Sequence, residues 1–402
     1  MARRALRVVR LVADYPVGGR ASYGLQPVYH NLSKAQAARG HDVQVIARRY
    51  AGQPETESVE GVTIHRVGPP FTANAALMTK RLSDEREQAV IHTHSTSGFF
   101  LSLVRNATRT PIISHVHGTT YSVATPAVLT FGSVKSEYSP WRVTTSYLRE
   151  RALWSRADRI AAVSSSVRSD LIERYQMQPD KIRLVFNGVD AELFRPVSPP
   201  TMIGGQAIGG RKIVLYVGHF GLRKGIPFLI RAMAEVTKEV REATLVCVGG
   251  VPPWLPSGQY MDSLNRMIRT AQLEGKVLLL DRVPNESLPE LYSSASAFVL
   301  PSYYEAFPKV LIEAMACERA VIATKPGGTS DSVDDGVNGF LVPYADTASL
   351  ATRIVALLGD EGLARRMGSK GRERVLKDFT WQAVAARVDG IYDEFTVGRR
   401  AN

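Results

Sequence analysis

The densest chemistry in this 402-residue chain lies in the run Pro301–Ala316, which reads PSYYEAFPKVLIEAMA. Pro301 ends an apolar strand, Glu305 falls in the loop behind it, and Glu313 falls about a turn and a half into the helix that follows. Pro308 suits the first turn of that helix, where a missing N–H costs least. The backbone N–H groups around Phe307, Lys309 and Val310, with the helix dipole behind them, would face an anion. Two carboxylates would bracket that anion. A carboxylate accepts paired hydrogen bonds from vicinal hydroxyls, which is what a sugar or a ribose offers. Glutamates eight apart arise easily by chance, so the weight rests on their placement between a buried strand and an apolar helix.

Other loops could serve the same ligand. Gly218-His219-Phe220-Gly221-Leu222-Arg223-Lys224-Gly225 follows another apolar strand and opens a helix. Its Arg223 and Lys224 make a diphosphate grip, although it is neither a G-x-G-x-x-G nor a Walker A sequence. Lys325-Pro326-Gly327-Gly328-Thr329-Ser330-Asp331 carries glycines that let backbone approach a ligand closely. Near the start, Tyr15-Pro16-Val17-Gly18-Gly19 is a glycine loop before a helix, with Asp14 as a bystander. Two histidine pairs, His92-x-His94 and His115-x-His117, end strands. Residues two apart in a strand point the same way, so either pair could offer two imidazoles to a metal, as in a metal-dependent hydrolase. No further ligands follow at convincing spacing, and no D-x-D sequence occurs, so a metal site is not expected.

The elements that must position these residues follow from periodicity. Strands are read at 6–13, 43–47, 62–67, 90–94, 111–117, 159–164 and 181–186, with helices at 24–39, 142–155 and 166–175 among them. After a stretch with four Gly and three Pro between 196 and 210, the pattern restarts with strands at 213–218, 244–249, 277–280, 297–301 and 320–324. Apolar strands alternating with helices imply α/β architecture: two Rossmann-like parallel-sheet domains facing an interdomain cleft. The boundaries read as 1–195, a linker over 196–211, a second domain over 212–378, and a closing helix from 379 to 402.

Composition narrows the classes. At 45% hydrophobic and 22% charged residues the chain can bury a core. No apolar run approaches the ~18 residues of a membrane span, and Arg4, Arg7 and Arg10 break any secretory leader. Cys247 and Cys317, in apolar contexts, imply no disulfide framework. A cytoplasmic protein is expected. The net charge of +12 is lopsided: residues 1–197 hold 26 Lys+Arg against 16 Asp+Glu, and the remainder 24 against 22. The basic half permits a phosphorylated substrate or an anionic lipid surface, so peripheral contact with the inner face of a membrane stays open. Nucleic acid is disfavoured, because no dense basic run interleaved with aromatics occurs.

Taken together, these segments resemble the retaining glycosyltransferases of family GT4, which have the GT-B fold. Glu305 and Glu313 fit the family's E-x7-E motif. Asn187-Gly188-Val189-Asp190 with Phe194-Arg195-Pro196, Gly327-Gly328, Asn338-Gly339-Phe340 and Phe379-Thr380-Trp381 also fit. The resemblance covers essentially the whole chain. It implies that Glu305 contacts donor-sugar hydroxyls, Glu313 the ribose and Lys224 the diphosphate. Gly218, Phe307, Pro308, Lys309, Val310, Gly327 and Gly328 would line the donor, and Gly18 and Gly19 would close over it. His117 matches an active-site histidine near the donor sugar. His94 reads as structural or acceptor-facing, and His92 and His115 as core.

Three positions depart from the family pattern. His219 stands where members usually have Arg, so Arg223 becomes the candidate second cation. Pro308 replaces a common Gly, and Asp331 a common Glu.

The implied reaction is metal-independent transfer of a sugar from a nucleotide-diphosphate sugar to an acceptor hydroxyl with retained configuration. The nucleotide-sugar is a co-substrate, and no cofactor is implied. The acceptor could be a sugar, a lipid-linked species or another small molecule. A nucleotide-sugar epimerase of the same fold and a non-catalytic nucleotide-sugar binder are the alternatives. The resemblance also implies that the closing helix crosses back to the first domain.

Overall fold

The computed structural model describes residues 5–16, 24–85, 88–95, 97, 99, 108–124, 140–252 and 257–396. Gly18 and Gly19 lie outside these. Two compact units are present. The first gathers the chain to Gly188 and then Trp381 onward; the second is built mainly from Val189–Thr380.

In the first unit the strands are β1 (Arg7–Leu11), β2 (Asp42–Arg48), β3 (Thr56–Val59), β4 (Val62–Val67), β5 (Ala89–His94), β6 (Ile112–Val116), β7 (Arg159–Ala162) and β8 (Ile182–Leu184). They form one sheet in the order β3-β4-β2-β1-β5-β6-β7-β8. Every pair is parallel except β3 with β4. The helices Gln26–Ala38 and Trp381–Thr396 cover one face, burying Leu32, Tyr29, Val384, Val388 and Tyr392 against Val8, Val45 and Val90. The helix Phe71–Asp84 covers the other, over Val9, Leu11 and Ile91. Burial on both faces explains why these strands read as continuous apolar runs. The edge strand β3 escapes that reading: its alternately exposed TESV carries no such signal.

A buried polar knot ties the last helix into this unit. Asp389 accepts from Arg39 Nε at 2.6 Å and Gln36 Nε2 at 3.1 Å, and lies 3.3 Å from His41 Nε2. Burial opposes its charge, but these donors prevail and hold the carboxyl below its ordinary range. Gln36 also accepts from the fully buried Arg10 at 2.5 Å. Gly188 sits so close to the Trp381 indole that a Cβ there would come within 2.6 Å of the ring. The Asn187-Gly188 turn is thus fitted to that aromatic.

The second unit begins with a short hairpin, β9 (Met202–Ile203) and β10 (Gln206–Ala207), within the stretch read as a linker. Gly204 and Gly205, at φ +57° and +75°, supply the two left-handed residues that a tight hairpin turn needs. Residues 196–211 therefore belong to a folded unit, and the division falls at 188/189 instead of 195/196. The main sheet comprises β11 (Lys212–Val217), β12 (Ala243–Val248), β13 (Val277–Leu280), β14 (Ala295–Leu300), β15 (Val321–Thr324) and β16 (Gly339–Val342). Its order, β13-β12-β11-β14-β15-β16, is wholly parallel. Strand order reverses between β11 and β14. In open parallel sheets, the loops leaving such a pair are where ligands bind.

Candidate donor site and histidine stack

The loops after β11, β14 and β15 interlock through backbone. Gly225, at φ +71°, packs so tightly that a Cβ would lie 2.0 Å from the Pro301 carbonyl oxygen. The Tyr303 N–H donates to the Arg223 carbonyl at 2.7 Å. Gly327, at φ +84°, leaves 2.1 Å between a Cβ and the Glu305 carbonyl oxygen, and the Gly328 N–H donates to that oxygen at 2.7 Å. These contacts place Lys224 Nζ 2.5 Å from Glu305 Oε1, with side-chain exposures of 15% and 17%. Burial pushes Glu305 upward, but the Lys224 ammonium outweighs it and the carboxyl lies below its usual range.

His219 shares this loop. Burial and the neighbouring Lys224 bring it down to about 4, against the pull of Glu305, so it is neutral at pH 7. Arg223 and Lys224 therefore carry the positive charge of the loop. The helix Lys309–Ala316 starts behind Pro308, which sits at the N-cap one step before the expected first turn. Among the described residues no side chain caps it, leaving its positive dipole end available to an anion. Glu313 accepts from the Tyr292 hydroxyl at 2.9 Å, and burial raises it while Lys309, one turn earlier, opposes the rise. Burial lowers Lys309 in turn. The second unit thus brings Lys224, Arg223, Glu305, Lys309, Glu313, Gly327 and Gly328 onto three successive strand-end loops and one helix start.

In the first unit, Asp14 is engaged by the Tyr50 hydroxyl. All four strand-end histidines share one face. The register pairs His94 with His115 across β5 and β6. The rings form two rungs: His92 Nε2 meets His115 Nδ1 at 3.3 Å, and His94 Nδ1 meets His117 Nε2 at 2.8 Å. The rungs stack, with centroids 4.6 Å apart for His92/His94 and 4.5 Å for His115/His117. Tyr392, from the last helix, anchors the lower rung at 2.5 Å from His92 Nδ1. Burial holds His92, His94 and His115 far below the ordinary histidine range, His115 at about 3. His92, His94 and His115 bring ligand-capable atoms within 4.8 Å of one another. Their planes lie within 25° of parallel. Both His92 nitrogens are also already in use.

Sequence reasoning did not pair His94 with His117, nor find Tyr292 and Tyr392. Two H-x-H runs ending adjacent parallel strands were the available signal for the pairing. The tyrosines arrive from distant helices and left none.

Comparison with known proteins supplies the family. Residues 203–374 match the model for glycosyl transferases group 1, and residues 23–193 match the model for glycosyltransferase family 4. Alpha-maltose-1-phosphate synthase of Mycolicibacterium smegmatis is 29% identical, over 96% of this chain and 99% of that protein. D-inositol 3-phosphate glycosyltransferase of Nocardia farcinica is 29% identical, over 90% and 81%. Sucrose-phosphate synthase from Thermosynechococcus elongatus superposes with a TM-score of 0.78 at 26% identity, covering 98% of this chain and all of that one. Anabaena HepE in complex with UDP-glucose shares the fold at a TM-score of 0.74 and 18% identity, covering 97% and 100%. The two-unit α/β architecture is the GT-B fold.

Proposed function

The chain belongs to the family 4 glycosyltransferases, and from that premise we propose a metal-independent transfer. A glycosyl group passes from a nucleoside-diphosphate sugar to an acceptor hydroxyl with retained anomeric configuration. The observation that carries this reading is the Lys224–Glu305 pair, held at 2.5 Å beside Arg223 by loops with no room for side chains at Gly225 and Gly327. Lys224 and Arg223 offset charge growing on the departing diphosphate, as preorganised cations do most effectively. Glu305 takes sugar hydroxyls, Glu313 the ribose, and His117 positions the sugar. The departing phosphate oxygen accepts the acceptor's proton on the same face.

Three of the relatives are named for a phosphorylated sugar or cyclitol. Together with the basic first half of the chain, they favour a phosphorylated acceptor. The helix Pro140–Arg156 exposes Trp141 (76%) and Leu148 beside Arg149 and Arg151. That surface favours peripheral contact with anionic lipid; co-sedimentation with phosphatidylglycerol vesicles, lost in Trp141→Ser, tests it. Among the described residues no helix is long and apolar enough to cross a membrane.

Thermal-shift titration with UDP-, GDP-, ADP- and TDP-sugars identifies the donor, and NMR of the product with sugar phosphates reads the anomeric coupling. An inverted product refutes retention. Activity abolished by EDTA and restored by Mg²⁺ refutes metal independence. Conversion of the donor without any acceptor favours the epimerase.

A further inference from the structure

We propose that His219 makes donor binding proton-linked, taking up a proton as the diphosphate of a nucleotide-sugar enters the loop that it shares with Lys224. The inference rests on the assignment of that loop to the diphosphate.

The loop is fitted around this imidazole. The His219 carbonyl accepts from the Tyr216 hydroxyl and from the Gly221 N–H, each at 3.0 Å, and the next N–H, that of Phe220, donates to the Gly250 carbonyl at 2.7 Å. Gly221 has φ −100° and ψ +158°, a conformation open to any residue. What leaves no room for a side chain there is the ring: a Cβ would come within 2.9 Å of His219 Cδ2 and 3.0 Å of Nε2. The same point lies 3.9 Å from Lys224 Cγ, so the Nε2 edge of the imidazole and the lysine stem flank one spot. His219 keeps part of its surface in solvent.

Charge balance gives the imidazole its task. The diphosphate of a nucleotide-sugar is doubly negative at pH 7. Arg223 and Lys224 bring two cations, and Glu305, 2.5 Å from Lys224, cancels one of them. On the neighbouring elements the charges come in opposed pairs: Lys309 with Glu313 on the helix behind Pro308, Lys325 with Asp331 after β15, and Asp281 with Arg282 after β13, beside Gly250. The helix dipole adds only about half a charge, so the occupied site is short of positive charge. Of the ionisable side chains on the loop after β11, His219 alone has its ordinary range near pH 6.5. In the free protein, burial and Lys224 hold it at about 4, against the pull of Glu305. An entering dianion reverses that balance, because an opposite charge nearby favours the imidazolium. The protonated form is then favoured in the complex. Affinity therefore rises as pH falls, by up to about 10-fold per pH unit, and the gain is lost as pH rises through the bound-state value.

Calorimetric titration between pH 7.5 and 5.5, in pairs of buffers with different ionisation enthalpies, counts the protons taken up. The ligand is UDP-, GDP-, ADP- or TDP-glucose, whichever the thermal-shift titration selects; unlike a free nucleotide, none has a terminal phosphate that titrates in this range. The wild type should take up a fraction of a proton that rises toward about one, with an affinity gain of about 10-fold across the range. His219→Gln should lose that gain. His219→Arg, with a permanent charge, should bind more tightly than the wild type at pH 7.5 and show a flat profile. Glu313, raised by burial, is the other group able to titrate with the ligand, and its share survives in His219→Gln. The His219 ring resonance, identified by its loss in His219→Gln, should titrate near 4 in the free protein and higher with ligand bound. Equal proton uptake in the wild type and His219→Gln overturns the proposal, as does a wild-type affinity that does not change with pH. No binding of any of these nucleotide-sugars by the wild type overturns the diphosphate assignment along with it.

Discussion

Gly327→Ala separates what the loop glycines do for the backbone from what they do for the site. At φ +84° and ψ −147° Gly327 occupies a region essentially closed to side-chain-bearing residues, which costs on the order of 1–3 kcal/mol by itself. The new Cβ would stand 2.1 Å from the Glu305 carbonyl oxygen, about 1 Å inside the nearest approach real Cβ atoms make. The Glu305 main chain must retreat by a comparable distance, and a displacement of about 1 Å at a reacting centre can cost roughly 100-fold in rate. Gly336→Ala is the matched control: φ is +78°, yet nothing lies within 4 Å of its Cβ position. Both variants should lose stability, Gly336→Ala by roughly 1 kcal/mol and Gly327→Ala by about 2–4 kcal/mol. In kcat/KM, Gly327→Ala should fall about 100-fold while Gly336→Ala stays near wild type. Thermal unfolding and calorimetric titration with the nucleotide that binds the wild type provide the measurements. Equal nucleotide affinity and equal melting temperatures in the two variants would refute the claim that Gly327 sets the position of Glu305.

Lys224→Ala should lower kcat about 100–1000-fold, with Glu305 rising toward its ordinary range once the ammonium is gone; near-wild-type turnover refutes the diphosphate role. His92, His94 and His115 have folded-state values far below the ordinary ~6.5. Their neutral forms therefore contribute stability that is full above pH ~6.5 and declines as pH falls, by up to about 1.4 kcal/mol per pH unit for each histidine. For His115 the decline continues to about pH 3. Urea midpoints between pH 8 and 5 should show this slope, shallower in His115→Gln, and an unchanged slope in that variant contradicts it. Removing 381–402 strips Trp381, Val384, Val388, Ile391 and Tyr392 from the core of the first unit. At about 1.5–3 kcal/mol each, their loss matches the whole stability of a typical domain. The truncated chain should lose cooperative unfolding, and a wild-type melting curve would count against this.

Most strands were legible because burial on both faces leaves runs such as VIAT and ATLVCV with no polar interruption. Val62–Val67 and Val277–Leu280 appear at the boundaries that periodicity sets. What escaped was exposed or too short. The edge strand β3 alternates polar residues, β16 begins with a glycine, and the hairpin at 202–207 sits in a stretch whose glycines read as punctuation. The Lys224–Glu305 contact joins residues 81 positions apart. Spacing could nominate both loops, but their union depends on sheet order and on main chain packed against Gly225 and Gly327. The histidines were legible as pairs along each strand. Their rungs run across strands, where register decides and spacing along the chain says nothing.

The seat of Trp381–Thr396 in the first unit sets a timetable for biogenesis. A ribosome delivers residues 5–188 long before Trp381, Val388 and Tyr392 exist, so the nascent sheet waits with one face partly uncovered. The intervening unit, built from Val189–Thr380, has its whole sheet in hand before Trp381 emerges. The half synthesised first is thus completed only after the second, and the buried Asp389 knot closes only once residue 389 has emerged.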